Sequence, residues 1–282
     1  MQQPDVDELK RTLVRNAMFV PIFDIDGEEV FTYDDYKNAR HENNYDAVEP
    51  RPIDRTVRQP NSQSGSNEGA VYVFPGGSRN YVKFSNGEND GHLWSEVLAD
   101  SLYREVQPEL VPNTEAVFIE GRMARSSQLV PLDTEALVTD EARNQGFVMD
   151  CLLGNWDAVY NPQNLVMSGG RAMRIDTGNT LNFRARGGRK EEGAFGPVVT
   201  ELNFGTDRQR LGDGMRQMYP GLSDSQIEQQ ARQIKNRLTD EVIDRLVNSV
   251  VLPSEERASL SETLKQRRDY IAGWTSDLAK SA

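Results

Sequence analysis

A lysine at 83, a glutamate at 96, and then Asp157, Asn164 and Asp176 form a set of residue types that could handle a phosphate ester. Phosphoryl transfer needs close backbone cover over the phosphates, a cation on them, hard oxygen ligands for Mg²⁺ and a group that orients the acceptor. Gly76-Gly77 could supply the cover and Lys83 the cation. Glu96 could pair with Lys83, because an ammonium set among the apolar residues of Tyr81-Val82-Lys83-Phe84 requires a carboxylate. Asn164 and Asp176 offer one amide oxygen and one carboxylate for a divalent ion, and Asp157 could hold an acceptor hydroxyl.

These residues need elements to position them. Ala70–Phe74 and Asn80–Phe84 read as strands by their β-branched and aromatic content, joined by a Pro-Gly-Gly-Ser turn. Residues 92–106 follow a helical period with Leu98, Leu102 and Val106 as a stripe, which places Glu96 on a helix. Glu115–Glu120 is a further strand, continued after a tight turn from Gly121. Residues 140–153 read as one helix ending in an apolar run, followed by strands near 165–167 and 172–175. A Gly169-Gly170 turn between those strands would bring Asn164 and Asp176 side by side. The last sixty residues are helical: Ile227, Ala231, Ile234 and Leu238 form one stripe, and Ile243, Leu246, Val247 and Val250 the next. Ser223 and Asp224 are candidate caps, Ser225 with Glu228 fits a capping box, Thr239 caps the following helix, and a final helix runs from Ser254 to about 278.

Strands with one helix, followed mostly by helices, make an α+β layout. Residues 1–69 read as an N-terminal extension ending in a flexible linker, Pro60–Gly69. Residues 70–130 would form a small β-rich lobe and 131–282 a helical lobe. In the extension, Asp24-x-Asp26-Gly27 lacks the ligand spacing of a calcium loop and reads as a solvated acidic turn.

The pattern resembles the atypical protein-kinase-like fold shared by actin-fragmin kinase, the phosphatidylinositol 3- and 4-kinases and the HipA-type bacterial kinases. The resemblance spans about residues 70–275 and rests on Tyr81–Phe84, Glu96–Tyr103, Asn155-Trp156-Asp157 through Asn164–Met167, and Arg174–Gly178. It implies a two-lobed fold and ATP and Mg²⁺ as cofactors. It also implies Lys83 on the nucleotide phosphates held by Glu96, Asp157 in the catalytic loop, and Asn164 and Asp176 on the metal. The sequence departs from ordinary protein kinases in four places. Asp157 and Asn164 are seven apart rather than five, Asn155-Trp156 replaces His-Arg, Thr177-Gly178 replaces Phe-Gly, and no Ala-Pro-Glu follows. The departures fit the atypical branch. The function expected is a Ser/Thr protein kinase; the alternatives are a catalytically inactive kinase-like scaffold, of the kind found in phages or effectors, and an enzyme that transfers AMP.

Charge narrows the partners. The chain has 282 residues, 44 acidic and 32 basic, for a net charge of -12, which argues against a general nucleic-acid binder. Residues 171–190 run the other way, with six basic residues against Asp176. Their stretch Arg184, Arg186, Arg189 and Lys190 could take an acidic or phosphorylated protein substrate, with Thr177 and Thr180 as nearby hydroxyls. Cys151 is the lone cysteine, so no intramolecular disulfide or cysteine-rich zinc site forms, and two histidines leave little room for a histidine cluster. No apolar run approaches the ~20 residues of a membrane span, and Met1–Asp5 lacks the blocks of a signal peptide. The expected location is cytoplasmic, or inside a host cell after delivery.

Overall fold

The structure, a computed structural model, describes residues 50–60, 67–85, 90–133, 136–184, 187–202 and 219–274, together with positions 10, 13, 22–23, 29–32 and 35. The acidic turn at Asp24–Asp26, most of the Pro60–Gly69 linker and the end of the final helix lie outside these residues.

Strands β1 (Ile22–Phe23) and β2 (Glu29–Phe31) pair with each other. Next come β3 (Arg51–Pro52), β4 (Val57–Arg58), β5 (Gly69–Val73) and β6 (Arg79–Phe84), then helix α1 (Gly91–Val106), then β7 (Thr114–Ile119) and β8 (Arg122–Gln128). Helices α2 (Asp140–Asn144), α3 (Phe147–Leu153) and α4 (Trp156–Tyr160) precede the hairpin of β9 (Leu165–Ser168) and β10 (Arg171–Arg174). Helices α5 (Asp224–Arg237), α6 (Asp240–Asn248) and α7 (Ser254–Ala272) close the chain.

Six strands form one sheet in the order β3-β7-β8-β6-β5-β4, antiparallel except where β3 joins β7. Both edge strands, β3 and β4, come from the segment read as an extension, so Arg51–Pro52 and Val57–Arg58 belong to the sheet. Alternation gives β6 two faces. Val82 and Phe84 join Ala70, Tyr72, Val117 and Ala124 in an apolar cluster, while Lys83 points the other way. Helix α1 is buried on almost every side, because it lies against β7 and β8 and also against α5 and α6. Its Leu98, Leu102 and Val106 enter the large core shared with α3, α5, α6 and α7. A charge placed on α1 is therefore fixed relative to both the sheet and the helices.

The stretch read as one helix over 140–153 is two helices, α2 and α3, broken at Gln145-Gly146. The cause is tertiary. A Cβ at Gly146 would lie 2.3 Å from the Arg174 guanidinium, which is fully buried against Asp150 at 2.8 Å. Asp150 also accepts hydrogen bonds from the Tyr103 and Tyr219 hydroxyls and from Asn155, so one carboxylate ties α1, α3, β10 and the segment before α5. Gly146→Ala should push Arg174 off Asp150 and cost about 3 kcal/mol. Urea unfolding checks this, and an unchanged midpoint would contradict it.

The capping box at α5 forms between Ser223 and Gln226, not Ser225 and Glu228. Ser223 has the extended backbone of an N-cap, whereas Ser225 already lies in the first turn. Thr139 and Thr239 cap α2 and α6 through their side-chain oxygens.

Candidate active site

Strand β6 brings Lys83 to the face of the sheet where α1 crosses. Lys83 Nζ lies 2.7 Å from Glu96 Oε1, and both side chains are almost fully buried. It also lies 3.5 Å from Asp176 Oδ1. Burial alone would lower the lysine's pKa, but Glu96 and Asp176 reverse this and raise it above the ordinary value, so the ammonium stays charged. Burial raises the Glu96 carboxyl despite Lys83 beside it. Asp176 goes the other way. Burial would raise it, yet Lys83 and Arg125 hold it below the usual carboxylate range.

Asn164 and Asp176 flank the open end of the β9–β10 hairpin, where Leu165 pairs with Arg174 and the Ile175 N–H donates to the Asn164 carbonyl at 3.0 Å. Gly169 and Gly170 both take positive φ, 57° and 75°, as the tight turn between twisted strands requires. The Asp133 carboxylate accepts from the N–H groups of both glycines, at 3.2 and 2.9 Å, and so fastens the hairpin to the segment that leaves β8. Asp157 lies in the first turn of α4. Its Oδ1 accepts from Asn179 at 3.0 Å, and half-burial raises its pKa.

Lys83, Asp157, Asn164 and Asp176 all line one cleft of about 590 Å³. Leu129, Val130, Leu132, Val166 and Ile175 give it an apolar wall. That volume and that mix of lining suit a ligand of nucleotide size. Gly76 and Gly77 are not part of the lining. They form the turn of the β5–β6 hairpin, and Lys83 is at the far end of β6, opposite Gly69. At about 3.3 Å per residue the turn is on the order of 20 Å away. The phosphate cover expected there is not at that place. Asn67, two residues before Gly69, and Tyr81 on β6 line the cleft instead.

No family model and no curated protein matches the chain. Among solved structures, the crystal structure of a proinflammatory kinase, CtkA, of Helicobacter pylori matches with a TM-score of 0.55 over 83% of this chain and 99% of that one, at 14% identity. The fold is kinase-like. At that identity the likeness bears on architecture alone: a sheet lobe crossed by one helix, followed by a helical lobe.

The kinase-like frame gains residues that the sequence reading did not single out. Arg125 on β8 stands opposite Lys83 in register and is fully buried. It bonds Asp100 at 2.8 Å and approaches Glu96 at 3.7 Å. Burial alone would lower its pKa, but the two acids raise it above its ordinary value. Glu96 and Asp100 are four apart on α1, hence on one helix face, which was the available sequence signal. Gly178 completes the cluster from the other side. A Cβ there would lie 2.9 to 3.1 Å from Asp176 and Glu96 oxygens and the Lys83 nitrogen, so a larger residue would have to displace the charged ends of this cluster.

Lys190 is buried beside the catalytic-loop candidate. It donates to the carbonyls of Gly154 (3.0 Å) and Asn179 (3.2 Å) and lies 4.3 Å above the Trp156 ring. It thereby joins the segment after Asp176 to the start of α4. Burial lowers its pKa to about 7, below its ordinary 10.5. The sign follows from linkage: between these values the unfolded chain binds a proton that the folded chain does not, so this lysine makes stability rise with pH. Lys190→Met should flatten the gain in urea midpoint between about pH 7 and 9, and equal slopes in the two proteins would contradict the assignment.

The described residues of the local basic segment are paired, although Arg171, Arg184 and Arg189 stay about half exposed. Arg171 pairs with Glu109, Arg174 with Asp150, Arg184 with Glu191 and Arg189 with Glu256, and Lys190 is buried. Arg186 lies outside the described residues. Thr177 and Thr180 are buried, so neither hydroxyl is open to modification in this conformation.

Arg267 on α7 holds the loop from behind. It donates to the carbonyls of Cys151 and Leu152 and bonds Glu201 at 3.1 Å, while Glu201 accepts from the Trp156 indole. Gly154 ends α3 in the left-handed region, φ 58°, and turns the chain toward Asp157. Among the described residues no group of three His, Cys, Asp or Glu side chains could hold a metal. The amide and carboxylate of Asn164 and Asp176 nevertheless suit Mg²⁺, which keeps several waters and takes phosphate oxygens as ligands.

Proposed function

We propose that this chain is an ATP- and Mg²⁺-dependent phosphotransferase acting on a Ser/Thr hydroxyl of a protein. The observation that carries the reading is the buried Lys83–Glu96 pair at 2.7 Å with Asp176 3.5 Å from the same ammonium, Lys83 and Asp176 lining a cleft that also holds Asp157 and Asn164. A lysine held charged inside a cleft by one buried acid is suited to phosphate. The likeness to a solved kinase fold supports the same direction.

Glu96 fixes the Lys83 ammonium, which donates to the nucleotide phosphates. Asn164 and Asp176 would hold Mg²⁺, and the ion, when bound, offsets the charge that grows on the transferred phosphoryl. Asn179 occupies Asp157 Oδ1 and leaves Oδ2 to take the acceptor hydroxyl's hydrogen bond and then its proton. Half-burial raises its pKa above the ordinary carboxylate value, which makes it a better proton acceptor than a solvated aspartate. The apolar wall of Leu129, Val130, Leu132 and Val166 would receive the base. Catalysis on this reading is alignment plus electrostatics.

A thermal-shift titration with ATP and Mg²⁺, followed by mass analysis of the acceptor, tests the proposal. A rise in unfolding temperature together with a phosphate adduct is expected. A nucleotidyl adduct would mean AMP transfer, and no shift at all would favour an inactive scaffold.

A further inference from the structure

Asp176 lies in a segment without regular secondary structure, residues 175–177, and its carboxylate is bonded to its own neighbour, the Gly178 N–H, at 2.9 Å. That bond sets the shape of the loop. The loop is placed in the molecule by the Ile175 N–H on the Asn164 carbonyl at 3.0 Å, by Lys83 Nζ 3.5 Å from the carboxylate, and by the next residue. Thr177 Oγ1 donates to Asp100 Oδ1 at 3.0 Å, and both residues are fully buried. The other carboxylate oxygen, Asp100 Oδ2, is taken by Arg125 Nε at 2.9 Å. The Thr177 carbonyl in turn accepts from Thr180 Oγ1 at 2.7 Å. Asp100 stands one helical turn beyond Glu96, so α1 grips the sheet through Arg125, the ammonium through Glu96 and the Asp176 loop through Thr177.

From this we infer that Thr177 and Asp100 are positioning residues: their hydrogen bond fixes the Asp176 carboxylate beside Lys83 and thereby sets the strength of the metal site. The inference rests on the phosphotransferase reading. Thr177 is the donor to Asp100 Oδ1 among the described residues, so removing its hydroxyl leaves a fully buried carboxylate oxygen short of a bond and favours a shift of the loop toward another donor. Removing the hydroxyl displaces Asp176, while the Lys83–Glu96 pair, which does not involve Thr177, stays in place. The prediction is a split effect: metal binding and turnover weaken, and nucleotide affinity changes little.

The test uses the full chain and four proteins: wild type, Thr177→Val, Thr177→Ala and Thr177→Ser. Mn²⁺ binding is read by electron paramagnetic resonance in the presence of a non-hydrolysable ATP analogue, and kcat and KM for ATP are measured separately. Both hydroxyl-free variants should need about tenfold more Mn²⁺ for half-saturation and lose about tenfold in kcat, with KM for ATP within about twofold. Thr177→Ser, which keeps the donor, should return both values to within about twofold of wild type. Thermal unfolding establishes that each variant is folded; if valine does not fit, alanine carries the comparison. A folded Thr177→Ala or Thr177→Val that binds Mn²⁺ as wild type does overturns the inference alone. A wild type that binds neither Mn²⁺ nor the analogue overturns the functional reading and this inference with it.

Discussion

Asp176→Ala is expected to lower phosphate transfer by about 10²–10³-fold with only a small change in unfolding midpoint. The two halves of that expectation come from the same geometry. The Asp176 side chain is about 42% exposed toward the cleft, while Glu96, its neighbour across the ammonium, is buried at 2%. Glu96 alone keeps Lys83 paired when Asp176 is removed, so the fold loses one long contact of 3.5 Å and one turn bond from Gly178. Catalysis loses the carboxylate that the open end of the β9–β10 hairpin offers a metal beside Asn164. Steady-state kinetics with ATP and Mg²⁺, alongside urea unfolding of the same variant, separates the two effects. Activity within about fivefold of wild type would remove Asp176 from the metal site.

Lys83→Met reverses the balance, with loss of both activity and stability. Turnover should fall by at least about 10²-fold because no other cation lines the cleft so close to Asp176 among the described residues, apart from the Arg125 that Asp100 already holds. Stability should fall by about 3 kcal/mol near neutral pH, since Glu96 is left as a buried carboxylate with Arg125 3.7 Å away to offset its charge and Asp176 acting against it. The pH dependence gives the diagnostic. Burial already raises the Glu96 pKa above 4.5, and without Lys83 nothing comparable opposes it. The folded variant then binds a proton that the unfolded chain has lost, so its stability declines as pH rises above about 4.5 and recovers as pH falls. Urea midpoints at about pH 5 and pH 8 should therefore show a smaller deficit at the lower value. A deficit that is constant with pH would mean that Glu96 does not depend on Lys83.

The sequence made part of this site readable and concealed the rest, for physical reasons. Lys83 in an apolar strand and Glu96 on an apolar helix advertise themselves, because a buried ammonium needs a partner and both elements have clear periodicity. The hairpin that brings Asn164 near Asp176 follows from a Gly-Gly turn between two short apolar runs. Gly76-Gly77 misled because a glycine pair marks a tight turn whatever its surroundings, and only strand register tells which end of the hairpin faces the cleft. Strands of two residues, such as β3 and β4, carry no period to detect, so the edges of the sheet looked like linker. Helix 140–153 read as continuous because its break is set by Arg174, which is distant in sequence. Arg125, Asp100 and Thr177 are ordinary residues in ordinary elements. Their network exists only once β8, α1 and the Asp176 loop are packed together.

The most direct measurement is a crystal structure of the chain with a non-hydrolysable ATP analogue and Mg²⁺. The account predicts nucleotide in the cleft between Leu129 and Asp176, its phosphates on the Lys83 ammonium and the ion on Asn164 and Asp176. Nucleotide bound elsewhere, or an ion held by other side chains while Lys83 touches only Glu96, would contradict it.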